Sequence, residues 1–225
     1  MAVSGVAFLV GFAAEARIAR LAGWRVVMGG GTTEGAVAAA RRLIAEGVTG
    51  IVSFGLAGGL DPSLPAGTLI VAGSVLAGAH LWPTDGALNA RLGGASAHVC
   101  LGLDHIAARS DEKLRLGRET GAALADMESG AVALEAGRAG VPFAVARAIC
   151  DPAGRSLPPA ALVSLDARGR IAPAGLAWSL MRSPGQIGAL AGLAWDAALA
   201  RRALRSHVLR LASRGVPMKG EAREG

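Results

Sequence analysis

Tyrosine is absent from this 225-residue chain, and phenylalanine and tryptophan together bring the aromatic content to only 4%. A surface that stacks on nucleobases along a nucleic acid strand needs more aromatic side chains than that. Cysteine occurs twice, at Cys100 and Cys150. Two cysteines exclude a disulfide framework and a four-cysteine zinc site, and they fit a reducing cytoplasm. The four histidines, His80, His98, His105 and His207, are scattered without an i, i+4 or HxH pair, so no metal site is expected. No apolar run reaches the roughly 18 residues of a membrane-spanning helix. The opening MAVSGVAFLVGFAAEAR has the apolar centre of a signal peptide but no basic start, and it runs directly into Glu15 and Arg17. A buried first strand is the expectation there.

What is abundant is apolar and small. Hydrophobic residues make up 52% of the chain, glycine contributes 33 positions, and mean hydropathy is +0.44. Such a chain is neither disordered nor coiled-coil, and its length suits one domain or at most two small ones. Net charge is +6. Lysine appears only at Lys113 and Lys219, so arginine supplies nearly all of the 23 basic residues. A basic balance points to nucleic acid, a phosphate-bearing substrate or an anionic membrane surface. Nucleic acid is the weakest of the three, because no basic reading helix accompanies the charge.

Short apolar runs predict strands at Val6–Val10, which ends at Gly11 and is expected to be buried on both faces, and at Trp24–Met28, Gly50–Phe54, Thr68–Ala72, Val99–Leu103 and Phe143–Ile149, the last stopped at Cys150-Asp151-Pro152. Helical spacing predicts helices over Thr33–Ala45, Ser110–Thr120 and Ser129–Ala139, the last closed by Gly140 and Pro142. Glu112 and Lys113 are expected in a polar first turn. Between Ala77 and Ala97 the pattern is weak, and loops with short strands are expected. The alternation predicts a three-layer α/β fold with a mostly parallel or mixed central sheet covered by helices. Residues 1–170 are expected to form this α/β domain, 171–214 a helical, arginine-rich extension of it, and 215–225 a flexible tail. Within the extension, helical stretches are expected over Gly175–Met181 and Ile187–Leu211, broken at Ser183-Pro184-Gly185.

Ligands of parallel sheets sit outside the carboxyl ends of the strands. Four polar candidates fall there: Glu15, the Gly29–Thr33 loop, the Gly55–Gly59 loop and Asp151. Neither glycine loop matches G-x-x-x-x-G-K-[ST] or G-x-G-x-x-G, so triphosphate and dinucleotide readings are weak. Asp126-Met127-Glu128-Ser129 precedes a helix and reads locally as an N-terminal cap, as Asp151-Pro152 reads locally as a turn. Several acidic groups along one sheet edge would repel unless a ligand or hydrogen bonds use them. Cys150 is expected to be a packed small residue.

The segments VTGIVSFGLAGGL and PAGTLIVA (Val48–Leu60, Pro65–Ala72), DMESGAVA (Asp126–Ala133) and VPFAVARAICD (Val141–Asp151) resemble the superfamily of purine nucleoside phosphorylases and methylthioadenosine/S-adenosylhomocysteine nucleosidases. The wording SFGLAGGLDP and ADMES, with the arginine-rich apolar tail, is most similar to the hopanoid-associated members, which release adenine from adenosylhopane. The resemblance implies an enzyme that cleaves a purine N-ribosyl bond without a cofactor, as a homo-oligomer. It implies that Glu128 binds the ribose hydroxyls with Met127 beneath the sugar. It further implies that Asp151 acts at purine N7 and that Glu15 activates water. By the same resemblance Gly58, with Ala57, is expected under base and sugar, and the backbone around His105 and Ile106 is expected to read adenine.

This chain departs from the phosphorylases in that family. Glu15 stands where they carry an arginine, and Ser53 and Leu56 stand where they carry an arginine and a serine, the groups that hold phosphate. The departures favour water as nucleophile. Arg17, Thr32, Thr33 and Arg147 remain candidates for an anion site, so phosphorolysis stays open. A non-catalytic nucleoside-binding or membrane-surface module is the rival of a different class. Retention of Glu15, Glu128 and Asp151 together favours an enzyme, since a binder needs no acid at N7. The apolar and arginine-rich residues from Trp178 to Leu211 either pack on the sheet or lie on an anionic membrane, the second suiting a lipid-linked nucleoside.

Overall fold

The structure is a computed structural model, and it describes residues 5–163 and 184–214. The helix expected over Gly175–Met181 and the tail from Gly215 lie outside the described residues. Among the described residues nine strands form one mixed sheet. β1 (Val6–Val10) lies between β2 (Arg25–Met28) and β3 (Gly50–Gly59), parallel to both. β3 also pairs in parallel with β9 (Phe143–Asp151), which carries β4 (Leu69–Val71) antiparallel on its other edge. At its carboxyl tip β3 meets β8 (Leu124–Asp126) antiparallel. Beyond β8 follow β7 (Val99–Gly102), β5 (Ser74–Ala77) and β6 (His80–Pro83).

The central strands are buried on both faces because their residues alternate between two helical layers. Leu9, Ile51, Val145 and Ile149 pack with Ala36, Ala40 and Leu43 of α2 (Thr33–Ala45) and with Val132 and Ala136 of α5 (Ser129–Arg138). Phe8, Val52, Phe54, Ala146 and Ala148 face the other way. They pack against Ala16 and Ile18 of α1 (Ala13–Ala19) and against Leu204, Val208 and Leu211 of the final helix. Three further helices, α3 (Gly86–Arg91), α4 (Ser110–Thr120) and α6 (Pro159–Val163), lie between α2 and that final helix in the chain, which is α7 (Ile187–Ser213). This is the expected three-layer α/β fold.

The differences from the expectation have physical causes. The glycine loop expected at Gly55–Gly59 is strand, since β3 stays hydrogen-bonded to β9 as far as Gly58 and to β8 at Gly58 and Gly59. Only the apolar half of this strand advertises itself in the sequence. β8 has three residues, too few to show a period, and α3 is a single short helix capped by Asp85, whose carboxylate accepts from Leu88 N–H at 2.8 Å. On α7, Leu204, Val208 and Leu211 are buried against the sheet, whereas Ile187, Trp195 and Leu209 are exposed. The final helix is therefore part of the core along one stripe and open along another.

That stripe predicts a contrast. Leu204→Ala should lower stability by about 2–5 kcal/mol in urea unfolding at unchanged m-value, whereas Leu209→Ala should cost under about 0.5 kcal/mol. Equal losses would show that α7 does not dock through Leu204.

Candidate active site

The centre of the site is Arg147 on β9, 1% exposed. A guanidinium so far from water needs partners, and the chain provides them from three directions. Its Nε lies 2.9 Å from Asp126 Oδ2 and its Nη2 lies 3.0 Å from Glu128 Oε2. Nη2 also donates to Ser53 Oγ at 2.7 Å, and Nη1 donates to the Leu56 carbonyl at 3.2 Å. Burial works against the charge of Arg147, but Asp126, Glu128 and Glu15 outweigh it and hold the guanidinium firmly protonated.

Asp126 closes β8 and starts α5. Its Oδ1 accepts from the backbone N–H groups of Glu128 (2.8 Å) and Ser129 (2.6 Å), and its Oδ2 accepts from Ser129 Oγ at 2.6 Å. The capping expected of the Asp126–Ser129 segment thus falls to Asp126. Glu128 makes no cap hydrogen bond and is left to face Arg147.

Glu15 comes from the first turn of α1 and is 2% exposed. Oε2 accepts from Phe12 N–H and Oε1 from Leu56 N–H, both at 2.8 Å, which fixes the carboxylate between the ends of β1 and β3. Two glycines make room for it. A Cβ at Gly55 would strike the Glu15 carboxylate and Arg147, and a Cβ at Gly11 would strike Glu128 Oε1 while touching Glu15 Oε2. Gly11 therefore lies between the carboxylates of Glu15 and Glu128.

Three carboxylates around one guanidinium leave an excess of negative charge in a dry place, so protons are retained. Burial raises the pKa of Glu15 against the pull of Arg147 and three backbone N–H groups. Burial, with Asp126 and Glu15 adding to it, pushes Glu128 up to about 7 despite Arg147.

Asp151 ends β9. The register slips beside it: Ala57 pairs with Ile149 but Gly58 pairs with Asp151, so Cys150 is the extra residue of a bulge, a device that re-aims side chains near sites. Its Oδ2 lies 2.6 Å from Lys113 Nζ. Lys113 lies in the first turn of α4, as expected, but is buried there, because the carbonyls of Arg155 (2.7 Å) and Pro152 (3.2 Å) complete its hydrogen bonds. Asp151 Oδ1 is buried with no hydrogen-bond partner among the described residues. Burial raises the Asp151 pKa and Lys113 opposes it. Burial, with Asp151 and Glu15, pushes the Cys150 thiol up to about 12, which makes it a poor nucleophile.

Gly58 is partly exposed, and a Cβ there would meet nothing closer than the Ala125 carbonyl at 3.9 Å, so open space lies over the strand. Ala57 is buried and belongs to the core. Met127 is half-buried, and its carbonyl accepts from Thr33 Oγ1 at 3.2 Å. The same hydroxyl lies 3.3 Å from the Leu103 carbonyl, and Leu103 N–H donates to the Asp126 carbonyl, which ties the loop after β7 to the loop after β8. His105 and Ile106 sit exposed on that loop, with His105 bonded to Asp104 and Glu112, which raise its pKa.

The residues expected to hold an anion are placed otherwise. Arg147 already holds Asp126 and Glu128. Thr32 caps α2 by accepting from Gly35 N–H at 3.1 Å, Thr33 is bonded as above, and Arg17 is exposed on α1. Sequence reasoning missed Asp126, Ser53 and Lys113 as members of the site. Ser53 and Asp126 stand within quoted motifs, so their position was a signal; for Lys113, being one of two lysines in an arginine-rich chain was the only one.

Comparison with known proteins follows the geometry. Residues 13–167 match the family model described as the phosphorylase superfamily. No curated protein matches the chain in sequence. Futalosine hydrolase of Helicobacter pylori is similar in structure, with TM-score 0.65 at 19% identity, covering 92% of this chain and 98% of that one. The Helicobacter pylori 5′-methylthioadenosine/S-adenosylhomocysteine nucleosidase gives 0.64 at 18% identity, covering 93% and 100%. The S-adenosylhomocysteine nucleosidase of Streptococcus pyogenes gives 0.65 at 14% identity, covering 96% and 98%. At these identities the likeness is one of fold.

The raised pKa of Glu128 has a consequence for stability. Between the ordinary carboxylate value of 4.5 and about 7 the folded chain binds a proton that the unfolded chain has released, so stability falls as pH rises through that window. Glu128→Gln should flatten this decline, which for one group is on the order of 3 kcal/mol, in unfolding curves recorded from pH 5 to about pH 8. An unchanged slope would mean that Glu128 is ionised throughout.

Proposed function

Since the chain belongs to the phosphorylase superfamily, we propose that it cleaves the N-glycosidic bond of an adenine nucleoside with water as the nucleophile. The observation that carries this is the pair of buried carboxylates, Glu15 and Glu128, on either side of Gly11, with Asp151 at the end of the strand that bears Arg147. The nucleosidase and hydrolase names of the similar structures add support.

In the proposed reaction the nucleoside lies over Gly58. Glu128, held by Arg147, accepts hydrogen bonds from the ribose hydroxyls, and Met127 packs beneath the sugar. Bond cleavage develops positive charge on the ribosyl group and negative charge on the departing purine. The carboxylates on the sugar side stabilise the first. Asp151 answers the second: its free Oδ1 faces N7 and delivers a proton as the bond breaks, while Lys113 on Oδ2 stabilises the carboxylate that remains. Glu15, ionised when substrate is bound, removes a proton from water attacking the opposite face, the logic of an inverting glycosidase. Arg147 is already engaged by Asp126 and Glu128, and Arg17 is exposed on α1, which favours hydrolysis over phosphorolysis.

The substrate we propose is a lipid-linked adenine nucleoside of the adenosylhopane type, reached at an anionic membrane surface. No described helix is long and apolar enough to cross a membrane. Contact from one side is the alternative, and α7 supplies a face for it: Trp195, Arg202 and Leu209 recur every seven residues and are all exposed, with Arg205 beside them.

Incubation of the enzyme with an adenosine-type substrate should release free adenine and free sugar, at equal rates with and without phosphate. Strict phosphate dependence with formation of a sugar 1-phosphate would overturn the hydrolytic reading, and no adenine in either buffer would leave a binding module. Asp151→Asn should lower kcat by at least about 10²-fold with the fold intact, and Glu15→Gln should abolish sugar release. The acid limb of kcat/KM should rise through about pH 7, where Glu128 ionises, and move in Glu128→Gln.

Flotation with anionic liposomes reads the surface proposal. Binding should weaken with salt and fall when Arg201, Arg202 and Arg205 become Glu, each basic residue being worth roughly 1 kcal/mol at such a surface. Protein that stays in the unbound fraction at low salt defeats it.

A further inference from the structure

Away from the carboxylate cluster, a cavity of about 370 Å³ opens between the edge strand β4, the loop after α3 and the last turns of α7. No aspartate or glutamate among the described residues lines it. Its polar lining includes His98, His207, Arg210 and Arg214, set among Leu69, Ile70, Leu92 and Leu211. Residues 207, 210 and 214 stand at i, i+3 and i+7, so they share one face of α7, and that face is the one turned to the cavity.

His207 is the informative member. It is 7% exposed, and its Nε2 is buried without a hydrogen-bond partner among the described residues. His98 Nδ1 is likewise buried and unpartnered there. Arginines near a helix carboxyl terminus complement the helix dipole, which accounts for Arg210 and Arg214 as cations but not for a buried imidazole beside them with an empty donor position. No ion pair among the described residues engages either arginine, and like charges at i, i+4 repel on a helix. Two cations and two imidazoles, each with one buried ring nitrogen that lacks a partner among the described residues, around a space larger than one oxyanion, form a site that wants a multiply charged anion with several acceptor oxygens.

We propose that this cavity binds a phosphate group, either inorganic phosphate or the phosphate of a small monoester, at a place distinct from the nucleoside site. Arg210 and Arg214 pair with the phosphate oxygens, and His207 and His98 donate ring N–H groups to them. The glycines Gly93 and Gly94 leave the mouth of the cavity unobstructed, the nearest approach to a Cβ at Gly93 being the His207 ring at 4.0 Å. The apolar residues Leu69 and Leu92 give room for a short carbon skeleton.

Without ligand, His207 is held near pKa 4, first by burial and then by Arg210 and Arg214. From the other elements around the cavity the ionisable side chain that lines it with His207 is His98, which also helps to lower the pKa of Asp61. A bound dianion reverses the balance of charge around the imidazole, so the His207 ring reports occupancy directly.

The experiment follows the four histidine ring signals of the full chain by NMR during titration with inorganic phosphate and, separately, with glycerol 3-phosphate. The expected result is a His207 pKa raised by at least about one unit with millimolar affinity or better, lost in Arg210→Gln/Arg214→Gln and retained in Arg201→Gln/Arg202→Gln. Equal affinity for both probes identifies free phosphate as the ligand, and affinity tenfold higher for glycerol 3-phosphate identifies a monoester. A His207 signal that does not move with either probe at ~10 mM, or that moves equally in the Arg210/Arg214 variant, overturns the proposal. Phosphate bound beside Glu15 would leave His207 unmoved, so the result is independent of the catalytic reading. An unliganded melting temperature equal to that of the parent chain confirms that the variant is folded.

Discussion

A guanidinium buried at the centre of the sheet is the constraint on which the site depends. Arg147 sits on β9 with no access to water, and an unpaired charge there would cost several kcal/mol. Each feature around it answers that cost. β8 ends in Asp126, the following turn presents Glu128, β3 offers Ser53 and the Leu56 carbonyl, and α1 brings Glu15 close enough to be felt. The answer overshoots, with three carboxylates for one cation. The surplus charge and the dryness of the place work against ionisation, so the raised pKa values of Glu15 and Glu128 follow from the arrangement that keeps Arg147 buried.

Close packing around the cluster dictates residue types that look unremarkable in isolation. Gly11 and Gly55 are there because a methyl group would occupy the place of a carboxylate. Gly102 and Gly130 let β7 approach α5 until a Cβ at one would overlap the backbone of the other, which sets the position of the β8 exit beside it. Thr33, at the start of α2, ties together the carbonyls that leave β7 and β8. The helix layer on that face is therefore clamped to the loops of the site. The opposite face carries α7, and the basic cavity opens at the edge of that layer.

How far the sequence discloses this depends on the range of the interactions. Val6–Val10, Thr33–Ala45 and Ser110–Thr120 match their elements residue for residue, because a continuous apolar run or a helical period is a local signal. The strand character of Gly55–Gly59 is not local: it comes from pairing with β9 and β8, nearly a hundred residues away in the first case. Glu15, Glu128 and Asp151 stand out through motif resemblance, and the structure places the first two on either side of Gly11. Arg147 shows the limit of reading residue types alone. An arginine near a glycine-rich strand invites an external anion, and only the fold reveals that Asp126 and Glu128 already occupy it. Lys113 shows the same limit in reverse, since its polar neighbours in sequence hide its burial between Asp151 and two carbonyls.

The two ends of the proposed substrate would meet opposite electrostatic environments, and this division follows from which cation each carboxylate has. On the sugar side one arginine serves three carboxylates, so the local charge turns negative as they ionise and a developing ribosyl cation is stabilised. On the base side one lysine serves one carboxylate at 2.6 Å, so the pair is close to neutral and can hold a proton against a leaving purine without repelling the negative charge that purine acquires. Exchanging the two arrangements would fail at both ends: a neutral pair would do little for the cation, and a cluster of carboxylates would repel the departing base. The separation is built into the register of β9, where Arg147 and Asp151 stand four residues apart on one strand with a bulge at Cys150 between them. A single strand thus carries both halves of the charge pattern that the proposed bond cleavage requires.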